Sequence, residues 1–214
     1  GSWWVSDFYA HQVLRITSEG QSEVVATVEN QPSGLGFLPD GDLLIVSMKD
    51  RRILRLQGDG TLTEHANLMD VTAGYTNDMV VDRVGRAYVG NFGFDIFGGA
   101  APASTTLVRV DPDGSIKVVA DDLLCPNGTV ITADGGTLII SESFGSRMSA
   151  FTIDASGDLS DRRIWAAFGA PPPQDSMASI GTAEFAPDGC AIDAENHIWV
   201  ADAFAGRACR ISPA

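Results

Sequence analysis

The chain has 214 residues, 44% of them apolar, with 23 glycines and 10 prolines, which suits many short strands joined by tight turns rather than a disordered tract. Its formal charge of −14 lacks the basic footprint that nucleic acid requires, and no apolar run approaches the roughly 18 to 20 residues of a membrane-spanning helix, so neither partner is expected. The charge favours cations, although an excess of Asp and Glu also serves simply to keep a protein in solution. Cys125, Cys190 and Cys209 form no CxxC pair, so neither a zinc site nor a disulfide framework is signalled. They point to a reducing compartment and hence a cytoplasmic location. His11, His65 and His197 lie in unrelated contexts, against a histidine-based metal site or triad.

Taken in chain order, one strand signature occurs five times as a short apolar run ending in a small or polar residue. It reads Trp4-Val5-Ser6-Asp7, Ile45-Val46-Ser47-Met48, Tyr88-Val89-Gly90-Asn91, Ile139-Ile140-Ser141-Glu142 and Trp199-Val200-Ala201-Asp202. The spacing of about 40 to 60 residues lies near or above one propeller blade. Each signature sits in the same setting: an apolar strand, a turn rich in Asp and Gly, the signature strand, a short loop and another strand. Residues 34–56 show this as Gly34 to Leu38, the turn Pro39-Asp40-Gly41-Asp42, Leu43 to Ser47, and Arg52 to Leu56; residues 127–153 and 188–212 repeat it. Outer strands are predicted over Glu23 to Val28, Ser115 to Ala120 and Arg162 to Phe168. A β-sandwich would not explain the regular recurrence, so the predicted fold is all-β, a propeller of four-stranded blades occupying residues 1–214 as one domain. The signatures also predict one partial blade, three fuller ones and one unfinished one. The first inner strand would precede residue 1, and at least one further blade would follow Ala214.

About eleven or twelve positions before each signature, where the chain should reach the central axis, stand Ser33, Asn77, Asn127 and Asp188. Two amides and a carboxylate offer oxygen ligands, which suit a hard cation such as Ca²⁺ or Mg²⁺ rather than Zn²⁺. Taken singly, Asn-Gly and Asp-Gly are also ordinary turn pairs. If the inner strands begin at the channel mouth, the second strands end there, which would bring Asp7, Met48, Asn91, Glu142 and Asp202 to the same face. Two long loops should lie over that face. One runs from Phe92 to Thr106 with Phe92, Phe94 and Phe97; the other, from Gly169 to Pro187, carries Pro171-Pro172-Pro173 and Met177. They are expected either to form an apolar lid or to be surface insertions.

The segments Thr76-Asn77-Asp78-Met79-Val80-Val81-Asp82, Gly85 to Gly93, Pro126-Asn127-Gly128 and Pro187-Asp188-Gly189-Cys190-Ala191-Ile192-Asp193 resemble the SMP-30/gluconolactonase/LRE-like family. The resemblance implies a six-bladed propeller and a Ca²⁺-dependent hydrolase of lactones or related esters. It carries metal-ligand roles to Asn127 and Asp188, and to Asn77 a ligand or substrate role. Asp188 or Glu142 would activate water, while Asn91, Tyr75 and Phe92 would line the substrate site. Two departures follow. The family's Glu ligand would fall before residue 1, so the chain as it stands is expected to bind metal weakly and could be inactive. Tyr75 stands where sugar lactonases of the family have Arg, which turns the expectation from aldonolactones toward apolar lactones or aryl esters. The rival expectation is a non-catalytic propeller that binds a small ligand or peptide across its top face. Nothing in the sequence speaks to oligomeric state.

Overall fold

A computed structural model describes residues 1–212. Five antiparallel sheets follow one another along the chain, each a simple meander. The first contains β1 (Ser2–Asp7), β2 (Gln12–Thr17) and β3 (Ser22–Thr27). The second contains β4 (Pro32–Phe37), β5 (Leu43–Ser47), β6 (Arg52–Leu56) and β7 (Leu62–Asn67); the third β8 (Thr76–Val81), β9 (Ala87–Asn91), β10 (Thr105–Val110) and β11 (Ile116–Leu123). The fourth has β12 (Pro126–Ile131), β13 (Thr137–Glu142), β14 (Arg147–Ile153) and β15 (Leu159–Ala167), and the fifth β16 (Pro187–Ile192), β17 (Ile198–Asp202) and β18 (Arg207–Ile211). Sheets of three, four, four, four and three strands match the expected partial, fuller and unfinished blades. The observed count is five blades, against the six that the resemblance implied.

Within the second to fifth sheets the first strand lies innermost, and β4, β8, β12 and β16 pack against one another in chain order, with β1 beside β4. That radial arrangement places the core between sheets rather than inside any one. Val13, Val28, Leu43 and Ile45 join the first sheet to the second, and Leu44, Val46, Met79, Val89 and Val108 join the second to the third. Tyr88, Leu107, Leu138 and Ile140 join the third to the fourth; Ile139, Met148, Phe185, Ile198 and Val200 join the fourth to the fifth. A strand packed on both faces has no solvent side, so β5 and β9 are buried at every residue and are apolar up to the polar residues Ser47 and Asn91 at their ends. β17 alternates buried and exposed residues instead.

The abundant aspartates are largely turn formers. Asp82 accepts from the backbone N–H groups of Val84 and Arg86, Asp154 from Ser156 and Asp158, and Asp193 from Glu195 and His197, each at 2.8 to 3.0 Å. A side chain that mimics the backbone in this way fixes a tight hairpin, so much of the negative charge is structural. β7 is the outer strand that the sequence reading passed over.

Candidate axial site

Ser33, Asn77, Asn127 and Asp188 occupy the same register near the starts of β4, β8, β12 and β16, and all four line one cavity of about 390 Å³ at the mouth of the central axis. Ser6, Phe8, Met48, Asp78, Phe92 and Phe97 complete most of its wall. The glycines that follow are strand residues rather than turn residues. A Cβ on Gly128 would lie 2.5 Å from the Cys190 backbone N and 2.7 Å from Gly189 Cα, and one on Gly34 would lie 2.5 Å from Met79 N. Contact at that range admits no side chain. The Ser33-Gly34 and Asn127-Gly128 pairs therefore reflect the convergence of neighbouring inner strands on the axis, whereas a Cβ on Gly189 would meet no neighbour.

Asn127 donates from Nδ2 to Ser143 Oγ at 3.2 Å, and Ser143 donates to the Pro187 carbonyl at 2.7 Å, tying the fourth blade to the fifth. This commits the nitrogen end of the amide and leaves its oxygen available to a ligand. Asn77 Nδ2 is buried with no hydrogen-bond partner among the described residues. Burial raises the Asp188 pKa, against the lowering effect of the Gly189 N–H and the Asn127 amide. Asp78, which the sequence reading did not single out, is pushed up to about 6 by burial and by the neighbouring Asp188 charge, opposed by the Met79 N–H. A cation beside both carboxylates would relieve the penalty that the Asp188 charge places on ionising Asp78. Together with two amides they form an all-oxygen donor set that fits a hard divalent cation. Among the described residues no three His, Cys, Asp or Glu side chains form a metal cluster, so any ion here would depend on the amides.

The residues at the ends of the second strands have another role. Glu142 is completely buried and does not line the cavity. It accepts from Arg147 Nε and Nη2 at 2.9 and 2.8 Å, Arg162 Nη2 at 3.0 Å, the Leu124 backbone N–H at 3.0 Å and the Ser149 hydroxyl. Burial pushes its pKa up, but the Arg147, Ser149 and Leu124 donors outweigh that and hold the carboxyl below its ordinary value. Asp202 repeats the arrangement with Arg207 Nε at 2.9 Å and the N–H groups of Ala186 and Phe204. Asn91, also fully buried, accepts from the Gly93 N–H and the Thr105 hydroxyl and donates to the Thr106 carbonyl. These side chains anchor the loops that leave the mouth, and their polar atoms are already engaged. Met48 does line the cavity.

The two long loops pack into one another. Phe94 is buried with Cys125, Phe144 and Ile180, the last from the short helix α1 (Met177–Ile180), so it lies beneath the surface rather than at the mouth. Phe92 and Phe97 face the cavity with ring centroids 6.4 Å apart, and Tyr75 lies tilted against Phe97 at 5.7 Å. Tyr75 itself lines an adjoining cavity rather than the axial one.

A family model described as the SMP-30/Gluconolactonase/LRE-like region matches residues 1–214. The chain belongs to this family. It is 28% identical over 170 residues to a pentonolactonase of Haloferax volcanii, covering 79% of this chain and 51% of that protein. It is 30% identical over 138 residues to a regucalcin of Danio rerio, covering 64% of this chain and 42% of that one. The chain thus spans about half the length of the curated relatives it matches. A gluconolactonase structure from Xanthomonas campestris superposes with a TM-score of 0.73 over 99% of this chain and 72% of its own, at 24% identity, and so supports the propeller fold. No helix among the described residues is long and apolar enough to cross a membrane.

Proposed function

We propose that the protein hydrolyses lactones or related esters at the axial site, with Ca²⁺ or another hard divalent cation held by Asn127, Asp188 and Asn77. The observation that carries this reading is the gathering of Asn77, Asn127, Asp188 and Asp78 around one cavity, with both carboxylates raised in pKa by burial. Relatives named pentonolactonase and regucalcin support it. A bound cation would polarise the carbonyl oxygen and stabilise the charge that grows there.

The chain's own residues supply the rest. Water adds to the lactone carbonyl carbon, the ring C–O bond breaks, and the alkoxide that leaves takes up a proton. Asp188 or Asp78 receives the proton of the attacking water; Asp78, with a proton affinity not far from neutrality, suits that task. Glu142 is set aside as the base because two guanidiniums, a hydroxyl and an amide already occupy its oxygens. Ser33 and Asn77 offer polar contacts to the ring, while Phe92 and Phe97 form an apolar wall that favours lactones or aryl esters over polyhydroxy sugars.

The test is calorimetric titration with Ca²⁺ beside pH-stat assays of γ-butyrolactone, phenyl acetate and gluconolactone, using the full-length protein and its Asp188→Asn variant. Saturable Ca²⁺ binding and turnover, both lost in Asp188→Asn, are expected. Turnover that is unchanged in Asp188→Asn, or by chelation, would overturn the assignment. Gluconolactone as the best substrate by tenfold or more would overturn the substrate preference.

A further inference from the structure

A second cavity of about 480 Å³ adjoins the axial one and is lined by Phe8, Tyr9, Gln31, Lys49, Tyr75 and Phe97. Phe8 and Phe97 belong to both, so the two cavities are immediate neighbours at the mouth. Its size falls in the range of small-molecule pockets, roughly 300 to 1,000 Å³. Aromatic rings supply most of the wall: Phe8 meets Tyr9 edge-on at 4.7 Å, and Tyr75 lies tilted against Phe97.

The polar member of the wall is anomalous. Gln31 is only 8% exposed, and its amide oxygen is buried with no hydrogen-bond partner among the described residues. A buried acceptor left unpaired is destabilising. The fold does not ask for it. Gln31 sits immediately before β4, and the residues immediately before β12 and β16, Cys125 and Ala186, are buried and apolar. The left-handed φ of 68° at Gln31 is shared with Cys125 at φ 55°, so the backbone conformation belongs to the repeat and only the Gln31 side chain is particular to this blade. Its backbone is fixed there by the Met48 N–H donating to the Gln31 carbonyl at 2.9 Å, next to the Lys49 N–H donating to Asn30 at 3.0 Å. That pairing sets Gln31 and the exposed Lys49 on adjacent positions of one wall.

An unpaired acceptor, an adjacent cationic donor and flanking aromatic rings together match one functional group. A secondary amide carrying an acyl or aryl tail presents an N–H, a carbonyl and an apolar body in that order. We propose that this cavity is a specificity subsite for lactones bearing an N-acyl or N-aroyl amino substituent. The amide N–H is donated to Gln31, the amide carbonyl accepts from Lys49, and the tail lies among Phe8, Tyr75 and Phe97. The assignment rests on the hydrolytic reading of the axial site.

The two readings separate when binding is measured apart from turnover. The probes are 2-benzamidocyclopentanone and 2-phenethylcyclopentanone, which cannot be hydrolysed and differ by replacement of the amide with two methylenes, titrated calorimetrically with Ca²⁺ present. The amide probe is expected to bind about tenfold more tightly, as for one satisfied buried acceptor. Gln31→Leu and Lys49→Met should each remove most of that preference and leave the phenethyl probe unchanged, whereas Phe97→Ala should weaken both. Should Gln31→Leu fail to fold by circular dichroism, the exposed Lys49→Met carries the test. Equal affinities, or a preference that survives both substitutions, would overturn the subsite. The corresponding lactones are then assayed for turnover. Preference without turnover would sustain the subsite and refute the hydrolytic reading. Turnover without preference would do the reverse, and neither would refute both.

Discussion

Replacing Glu142 with Ala separates a structural carboxylate from a catalytic one. Glu142 has no exposed surface, while its partners Arg147 and Arg162 retain 25% and 30% side-chain exposure. Deleting it removes four donors' acceptor, leaves the Leu124 N–H unpaired and opens a small void. Breaking a buried pair costs about 3 to 5 kcal/mol, and both arginine heads can turn toward water, so the lower end of the range applies, about 3 kcal/mol. For a chain of this size that corresponds to a fall in Tm of roughly 6 to 12 °C. Glu142→Gln keeps an acceptor for Arg147 or Leu124 and should cost about half as much. Urea unfolding followed by circular dichroism gives the free-energy change, and the pH-stat lactone assay is run at a temperature where each variant remains folded. A loss below about 1 kcal/mol, or unchanged stability with hydrolysis abolished, would refute the structural assignment and return Glu142 to the chemistry.

Other consequences follow from the axial site. Because the folded-state pKa of Asp78 lies at about 6, above the ordinary carboxylate value of 3.8, its contribution is fully present below pH 3.8 and is lost as pH rises through about 6. Unfolding free energy of chelator-treated protein should therefore decline across that window, and Asp78→Asn should flatten the decline; an identical pH profile in the variant would count against it. Gly128→Ala must push β12 from β16, since no space exists for its Cβ, and should cost at least about 2 kcal/mol in urea unfolding together with a weakened Ca²⁺ titration. A fully stable Gly128→Ala would mean that the inner strands approach less closely. Phe94→Ala should lower stability by about 3 kcal/mol through its buried cluster, whereas Phe97→Ala, 64% exposed, should change stability by less than about 1 kcal/mol and raise KM for apolar lactones instead. Reversed effects would exchange their places in the two loops.

What the sequence determined by itself is the part governed by local rules. Asp- and Gly-rich turns between apolar runs placed β5 and β6 to the residue and β4, β13 and β17 to within two, because hairpin geometry is set by a few adjacent side chains. Counting back from each signature strand put Ser33, Asn77, Asn127 and Asp188 in one register, and a radial repeat turns equal register into common position. The tertiary structure decided whatever depends on a neighbouring blade. Asp78 became notable only through the burial and the Asp188 charge that surround it, and Glu142 left the mouth because Arg147 and Arg162 reach it from the next two strands of its own sheet. Phe94 and Phe97, three residues apart in one loop, went to opposite fates because Phe144 and Ile180 cover one of them and the cavity opens beside the other. Gln31 shows the same division: its place before β4 is readable from the repeat, whereas the missing partner of its amide exists only in the packed wall. Periodicity fixes where a residue sits along its strand, and burial, charge and partnership are properties of the space between strands.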